Sequence, residues 1–393
     1  MKIVVGCDDL RKKWPLDKKD LQILAALDEM GGNASAQEIG DKCAKYQNIE
    51  GLKDESRTED KIPARTVRYR LSMLMERGIL LPSFIQVDER KVGFAEGVLV
   101  LQESGKKSED LERLINDIPI FYWYVSTHGK HDGYLVHTVY DLKHPNLIHD
   151  LCKVMIEKGF IEDYSFFDIV DFASKKIDFT RYNPSGEWSM DWDDWIKKIA
   201  KNLDCEIESP FSLSLEHEEI EYDGIDIEIL RHLLNNSDTS MSTLAILTGI
   251  PIAKIRDRVQ KLRDGKAIKG YERAYGFSGD ILWFSCIMDI SDSVGGILTS
   301  IHELPFPAAI LMENESKYCI RLGLTTSDLK RFLEGFKLIR RHLNSYSIQF
   351  HLPDKTETKY QSIFDLFDKT TNQWKMPLKE YIGIIENHAK SIS

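Results

Sequence analysis

The sequence predicts an α+β chain in which two winged helix-turn-helix domains alternate with two ferredoxin-like βαββαβ sandwiches, an internal duplication. Three observations predict it. Two basic amphipathic segments, residues 62–80 and 250–268, both open on Ile-Pro. Each is followed by the same succession of apolar runs and helical periodicities, which reads βαββαβ. Matching residues recur at nearly fixed offsets: Asp17 and Asp20 against Asp223 and Asp226, and Trp188 and Met190 against Trp374 and Met376. A repeat of whole domains is the economical explanation.

The elements follow in order. Residues 3–5 are apolar enough for a short strand, and Arg11, Lys12 and Lys13 form a small basic cluster. In 16–27, Asp17 is a candidate N-cap and Leu21, Leu24 and Leu27 share one helical face. Ser35 opens a second short helix. Residues 44–61 are polar and charged, and fall where a helix-turn-helix has its tight turn. The two first helices lie 206 residues apart and the two Ile-Pro pairs 188, so the first copy carries an 18-residue insertion. In 62–80, Pro63 suits a first helical turn, Val67, Leu71 and Leu74 make a buried face, and Gly78 stops the helix. A wing follows at 84–94. Strands at 98–102, 120–127, 134–140 and 160–172 and helices at 108–117 and 145–158 complete the first sandwich. A Trp-rich helical stretch and an acidic run come next, with 211–215 alternating like a strand. The second copy repeats the order from Tyr222. Domain boundaries fall at 1–94, 95–175, 176–221 (connector), 222–278, 279–353 and 354–393 (C-terminal helical segment).

The chain has 393 residues, 42% of them hydrophobic and 29% charged, which fits several folded domains and excludes a disordered chain. No apolar run is long enough to span a membrane, and the start lacks the pattern of a signal peptide, so a cytoplasmic location is expected. The six cysteines are too dispersed for zinc-finger spacing and are expected as free thiols. Net charge is −11, but it is uneven: 254–273 holds eight basic and three acidic residues, and 204–223 holds eight acidic residues with no Lys or Arg. Basic stripes on an acidic body suit DNA contact at one face, and solvated helix faces give the same pattern.

The chemistry-bearing residues follow from the two basic helices. Arg65, Thr66, Arg68, Tyr69 and Arg70 are the candidates for one groove contact, and Lys254, Arg256, Arg258 and Lys261 for the other, because arginine reads guanine through a planar fork. Arg70 has an equal claim to a structural role. Lys269 and Arg273 are candidate wing contacts to phosphate. His128, His131 and His137 lie in or beside a hairpin and receive no ligand role. No glycine-rich phosphate loop, Ser/His/Asp order or HExxH is present, so no catalytic residue, metal or cofactor is assigned.

The pieces Leu16-Asp17-x-x-Asp20-x-x-Ile23-Leu24, Val67-Arg68-x-Arg70-Leu71-x-x-Leu74-x-x-x-Gly78-Ile79 and Val87-Asp88-x-x-x-Val92-Gly93-Phe94 resemble the Lrp/AsnC feast-or-famine regulators. Gly129-x-x-Asp132-Gly133 looks like the turn of that family's ligand-responsive domain. The resemblance covers 16–172 and recurs more weakly over 222–351. It implies a transcriptional regulator that binds double-stranded DNA and pairs through its sandwiches. It also implies tuning by a small-molecule effector such as an amino acid, with Gly129, Asp132 and Gly133 at the effector site. A fused pair implies a pseudo-dimer within one chain, with further homodimer pairing open and no membrane partner. The departures are the 44–61 insertion, Gly265 one residue early, Asp257 in the second basic helix, and Glu313-Asn314-Glu315-Ser316 in place of the second Gly-x-x-Asp turn. The main expectation is a DNA-binding regulator that is not an enzyme. The same domain pair resembles the siroheme decarboxylases, which makes an enzyme the alternative, and a ligand-sensing or protein-interaction scaffold is a third.

Overall fold

A computed structural model describes residues 16–31, 34–46, 61–105, 108–183, 187–276, 281–352 and 358–391. The expected strand at 3–5, the basic cluster at 11–13 and most of the insertion lie outside the described residues.

The first winged helix consists of α1 (Lys18–Met30), α2 (Ala36–Lys42), α3 (Ala64–Glu76) and strand β1 (Leu80–Val87). Asp17 and Asp20 form a reciprocal capping box at the start of α1, and Ser35 and Glu38 form one on α2; each satisfies amide donors that a helix start leaves open. Leu21, Leu24, Leu27, Ile39, Val67 and Leu74 meet in one core. Pro63 is the N-cap of α3, one position before the first helical turn where the sequence placed it. Its φ of −56° and ψ of 138° are those of an extended entry residue. Gly40 and Ile62 show how the tight turn survives the insertion. The Ile62 amide donates to the Gly40 carbonyl at 3.1 Å, and a Cβ on Gly40 would sit 2.0 Å from the Ile62 oxygen. The chain leaves and returns at one point, and only glycine permits that approach.

The first sandwich holds β2 (Phe94–Glu103), α4 (Ser108–Asp117), β3 (Phe121–Gly129), β4 (Gly133–Asp141), α5 (Leu147–Glu157) and β5 (Ile161–Ile169), which bends into β6 (Asp171–Lys175). After α6 (Trp192–Leu203), the second winged helix has α7 (Gly224–Asn235), α8 (Met241–Thr248), α9 (Ile252–Asp264) and β7 (Ile268–Tyr275). The second sandwich has β8 (Ile281–Ile290), α10 (Val294–His302), β9 (Ala308–Met312), β10 (Lys317–Thr325), α11 (Thr326–Ile339) and β11 (Leu343–His351). Short β12 (Phe367–Asp368) and β13 (Gln373–Trp374) and helix α12 (Leu378–Ser391) end the described chain. The expected strand at 211–215 does not form. Phe211 packs its ring on His302, and the Ser214 amide donates to the Asp171 carboxylate at 2.7 Å. These contacts take the place of a ladder partner.

The two wing strands pair with each other, β1 against β7, with Phe84 opposite Glu272 and Ile85 opposite Tyr271. The sandwich strands run β5-β2-β4-β3-β11-β8-β10-β9-β6. Because β6 continues β5, the order closes on itself: the end of β11 pairs with β3 and β6 pairs with β9. Two four-stranded sheets therefore face each other, with their helices outside. Strand alternation separates two layers. Leu99 and Leu101 of β2 face the helices, whereas Val98 and Val100 meet Val125, Leu135, Leu311 and Cys319 between the sheets. The terminal helices cross over. Trp192, Trp195 and Ile199 of α6, which follows the first sandwich, pack into the core of the second. Tyr381 and Ile385 of α12 pack into that of the first.

Candidate active site

The layer between the sheets is apolar at its centre and polar toward the paired wing strands. Its inward positions place His137 on β4 and Arg321 on β10, each three residues after a buried tyrosine, Tyr134 or Tyr318. The two side chains meet across the gap, Arg321 Nη2 on His137 Nε2. A guanidinium only donates, so Nε2 accepts and the neutral imidazole carries its hydrogen on Nδ1. That Nδ1–H donates to Glu96 Oε1 at 2.8 Å and lies 2.9 Å from the Tyr122 hydroxyl. Tyr122 also donates to Glu96. Arg321 lies 5.0 Å from the centre of the Trp123 ring, a cation–π contact. Beyond it, Ser285 Oγ and His351 Nε2 are 2.9 Å apart.

His137, Arg321, Glu96, Tyr122 and Trp123 line a cavity of about 330 Å³ under the paired wings, with Phe84 and Ile85 of β1 and Tyr360 on its other walls. Asn235 and Thr358, both exposed, mark its mouth. Tyr360 donates to Glu89 on the same wall. Burial and the adjacent Arg321 charge push the His137 imidazole down to about 4, so it is neutral at physiological pH. Burial would raise the Glu96 carboxyl, but the hydrogen bonds from His137 and Tyr122 hold it below its ordinary value. Glu89 is raised, by burial first and then by repulsion from Glu96, which keeps a carboxylic acid protonated in the wall. Arg321 is 3% exposed. Its Nε has no hydrogen-bond partner, and among the described residues no carboxylate ion-pairs with it. The Glu96 charge acts on it only from behind the His137 ring, so this buried guanidinium has no counter-charge in direct contact. The cavity thus offers a cation for an anionic group, a neutral imidazole and phenol, and a protonated acid.

The groove candidates lie elsewhere and divide into two kinds. Arg65, Arg68 and Tyr69 of α3 are exposed, with Thr66 half-buried beside them, and Lys254 and Arg256 of α9 are exposed. Arg70 Nη1 ion-pairs with Asp17 at 2.5 Å and Asp20 at 2.7 Å. Arg258 repeats that clasp with Asp223 and Asp226, both at 2.8 Å, and Lys261 lies 3.6 Å from Asp226. Lys269 bonds to buried Asp171, and Arg273 ion-pairs with Asp238 at 3.1 Å. The turn with Gly129, Asp132 and Gly133 is seated on β11. The Gln349 side chain bonds both the His131 amide (3.3 Å) and its carbonyl (2.9 Å), and a Cβ on Gly129 would lie 2.1 Å from the Ile348 oxygen.

Sequence reasoning singles out none of Glu89, Glu96, Tyr122, Trp123, Arg321 and Tyr360, and it gives His137 no role. A signal existed: His137 and Arg321 are each a basic residue at an inward position of an otherwise apolar strand.

Residues 222–269 match the family model described as winged helix-turn-helix DNA-binding. No curated protein matches the chain in sequence. Among solved structures, the siroheme decarboxylase NirDL is similar over 95% of this chain and 99% of its own, at 9% identity and a TM-score of 0.52. Its co-complex with an iron-uroporphyrin III analogue covers 95% and 100%, at 11% identity and a TM-score of 0.48. E. coli AsnC covers 36% of this chain and 99% of its own, at 18% identity and a TM-score of 0.28. The NirDL likeness establishes the fold: winged helices alternating with ferredoxin-like sandwiches. It also corrects the expectation that the chain is not an enzyme, since that expectation leaned on a fold shared along its length with one.

Proposed function

We propose that this chain is an enzyme that removes carboxyl groups as CO2 from an anionic tetrapyrrole of the siroheme type, at the cavity between the sheets. The observation that carries the reading is the buried Arg321, bound to neutral His137 and without a carboxylate of its own. A substrate carboxylate supplies the direct contact. Decarboxylation breaks the bond between the carboxylate carbon and its methylene, releases CO2 and leaves the electron pair on the methylene, which then takes a proton. Glu89, kept protonated by burial, is the wall's proton source, and Glu96 and Tyr122 fix the His137 ring. A cavity of about 330 Å³ is at the lower end of ligand pockets, which run from roughly 300 to 1,000 Å³. It takes the carboxylate-bearing edge of a macrocycle, with the remainder toward the mouth at Asn235 and Thr358. The test is anaerobic incubation of the purified protein with siroheme and mass analysis of the pigment. The expected result is loss of CO2, slowed ~10²–10³-fold by Arg321→Met. Unchanged siroheme and no spectral shift with the wild type would overturn the proposal.

A second reading rests on a separate observation: Arg65, Arg68, Tyr69, Lys254 and Arg256 are exposed on two helices of winged-helix type. In it the chain is a regulator of Lrp/AsnC type that binds double-stranded DNA, its two halves acting as a pseudo-dimer, with a small carboxylate effector in the same cavity. Gel shifts against genomic fragments at low salt test it. Retardation that is lost in the Arg65→Ala, Arg68→Ala, Arg256→Ala variant supports it, and absence of retardation excludes it.

A further inference from the structure

A second cavity, of about 390 Å³, lies between α1, the end of β6 and the segment that follows it, helix α6 and the end of α10. Ala25, Met190 and Trp195 give it apolar wall. Its charged residues mostly cancel in pairs. Asp194 binds Lys198 at 2.8 Å and Asp178 binds Arg181 at 3.3 Å. Glu29 is held by Lys42 and Lys45, and Asp28 accepts the Ile177 amide at 2.7 Å. Two charged groups keep an open hydrogen-bonding position. Lys175, 5% exposed, gives two of its three N–H groups to carbonyls, Lys176 at 2.7 Å and Phe306 at 3.1 Å. Among the described residues no carboxylate ion-pairs with it. Glu303 has a buried Oε2 with no donor. The two residues line one cavity and do not pair with each other.

We propose that this cavity is a binding site for a small zwitterion, its carboxylate on Lys175 and its ammonium on Glu303. Charge complementarity selects the ligand. A simple anion leaves the Glu303 oxygen unsatisfied, and a simple cation leaves the Lys175 ammonium unsatisfied. A molecule with both charges completes both, with its short carbon chain against Trp195 and Met190. Burial pulls the Lys175 amine down to about 8 against the opposing pull of Asp28 and Asp178, and a carboxylate bound directly to it adds to that opposing pull. Because the walls come from the first winged helix, the connector and the second sandwich, the ligand ties these three parts together. The site is independent of the His137–Arg321 cavity and does not involve the Gly129 turn.

The experiment is thermal unfolding of the full chain with glycine, β-alanine, γ-aminobutyrate and the standard α-amino acids, each at millimolar concentration, against acetate, phosphate and ethylammonium. The expected result is a rise in Tm of about 2–4 °C with at least one zwitterion. The one-charge probes give none, and the rise is lost in Lys175→Met and in Glu303→Gln but kept in Arg321→Met. If Lys175→Met does not fold, Glu303→Gln carries the test. No rise with any zwitterion overturns the proposal, as do an equal rise with acetate or phosphate and a rise that survives Glu303→Gln.

Discussion

The two halves of the chain agree at their winged helices and differ between their sheets. At the helices the agreement is nearly atom for atom: a capping pair of aspartates receives an arginine from the third helix, Arg70 on Asp17 and Asp20, Arg258 on Asp223 and Asp226. Between the sheets, the inward position three residues after the strand tyrosine is His137 in one half and Arg321 in the other. Unlike residues at like positions can bond across the interface, whereas like charges there would repel. The repeated residues hold the architecture, and the divergent ones create an acceptor and donor in a buried place. That difference directs the functional reading to the gap between the sheets.

Four changes break or sharpen the comparison. The largest effect is expected at Arg321. Replacing it with Met should lower turnover of siroheme by ~10²–10³-fold, the scale for removing one preorganised charge from a buried site, with the fold kept, as circular dichroism would show. Arg321→Lys should fall between, because an ammonium lacks the planar fork. Next is the clasp. Asp226→Asn leaves Arg258 without its most buried partner and should cost about 3 kcal/mol of stability in urea unfolding. Asp20→Asn should cost less, because the Asp20 side chain is 11% exposed and that of Asp226 only 1%. Neither should alter the affinity for siroheme, and a clasp variant that did would blur the division between architecture and chemistry.

The third effect is on acid stability. His137 in the folded chain sits at about 4, pushed down by burial and by Arg321 from an ordinary 6.5. A depressed folded value means that the unfolded chain binds the proton first. Its contribution is therefore fully present above pH 6.5 and is lost as pH falls through about 4, of order 3 kcal/mol in all. Melting curves from pH 7 to pH 4 should be flatter for His137→Gln than for the wild type, and parallel curves would show that His137 is not buried neutral. The smallest effect belongs to the exposed arginines. Arg65→Ala with Arg68→Ala should change stability by less than about 0.5 kcal/mol and leave siroheme turnover unchanged, altering only retention on DNA.

Much of the fold was legible in the sequence, because its signals are local. Asp17 with Asp20, and Asp223 with Asp226, announce helix starts within a single turn. The leucine spacing of 16–27 and the alternation of 134–140 declare which face is buried. The pairing of β1 with β7, the closed strand order and the exchange of α6 and α12 were not legible, since each depends on contacts between distant segments. The strand expected at 211–215 shows the converse: local alternation is not enough where no edge receives it. The candidate active site was the least legible part. Glu96, Tyr122, His137, Arg321 and Tyr360 come from strands of both sheets and a later turn, and no spacing links them. Only the break in apolar character at His137 and at Arg321 marked the place. The basic helices drew attention because their charges are contiguous, yet Arg70 and Arg258 turn out to be engaged in clasps.

The central claim is that the buried Arg321, seated on His137, receives a carboxylate of an iron tetrapyrrole. The most direct measurement is anaerobic absorbance titration of siroheme into the wild type and Arg321→Met, followed by mass analysis of the recovered pigment. The account predicts a saturable spectral shift and CO2 loss with the wild type, both reduced at least tenfold in Arg321→Met. Siroheme that binds and reacts equally with both proteins, or with neither, contradicts it.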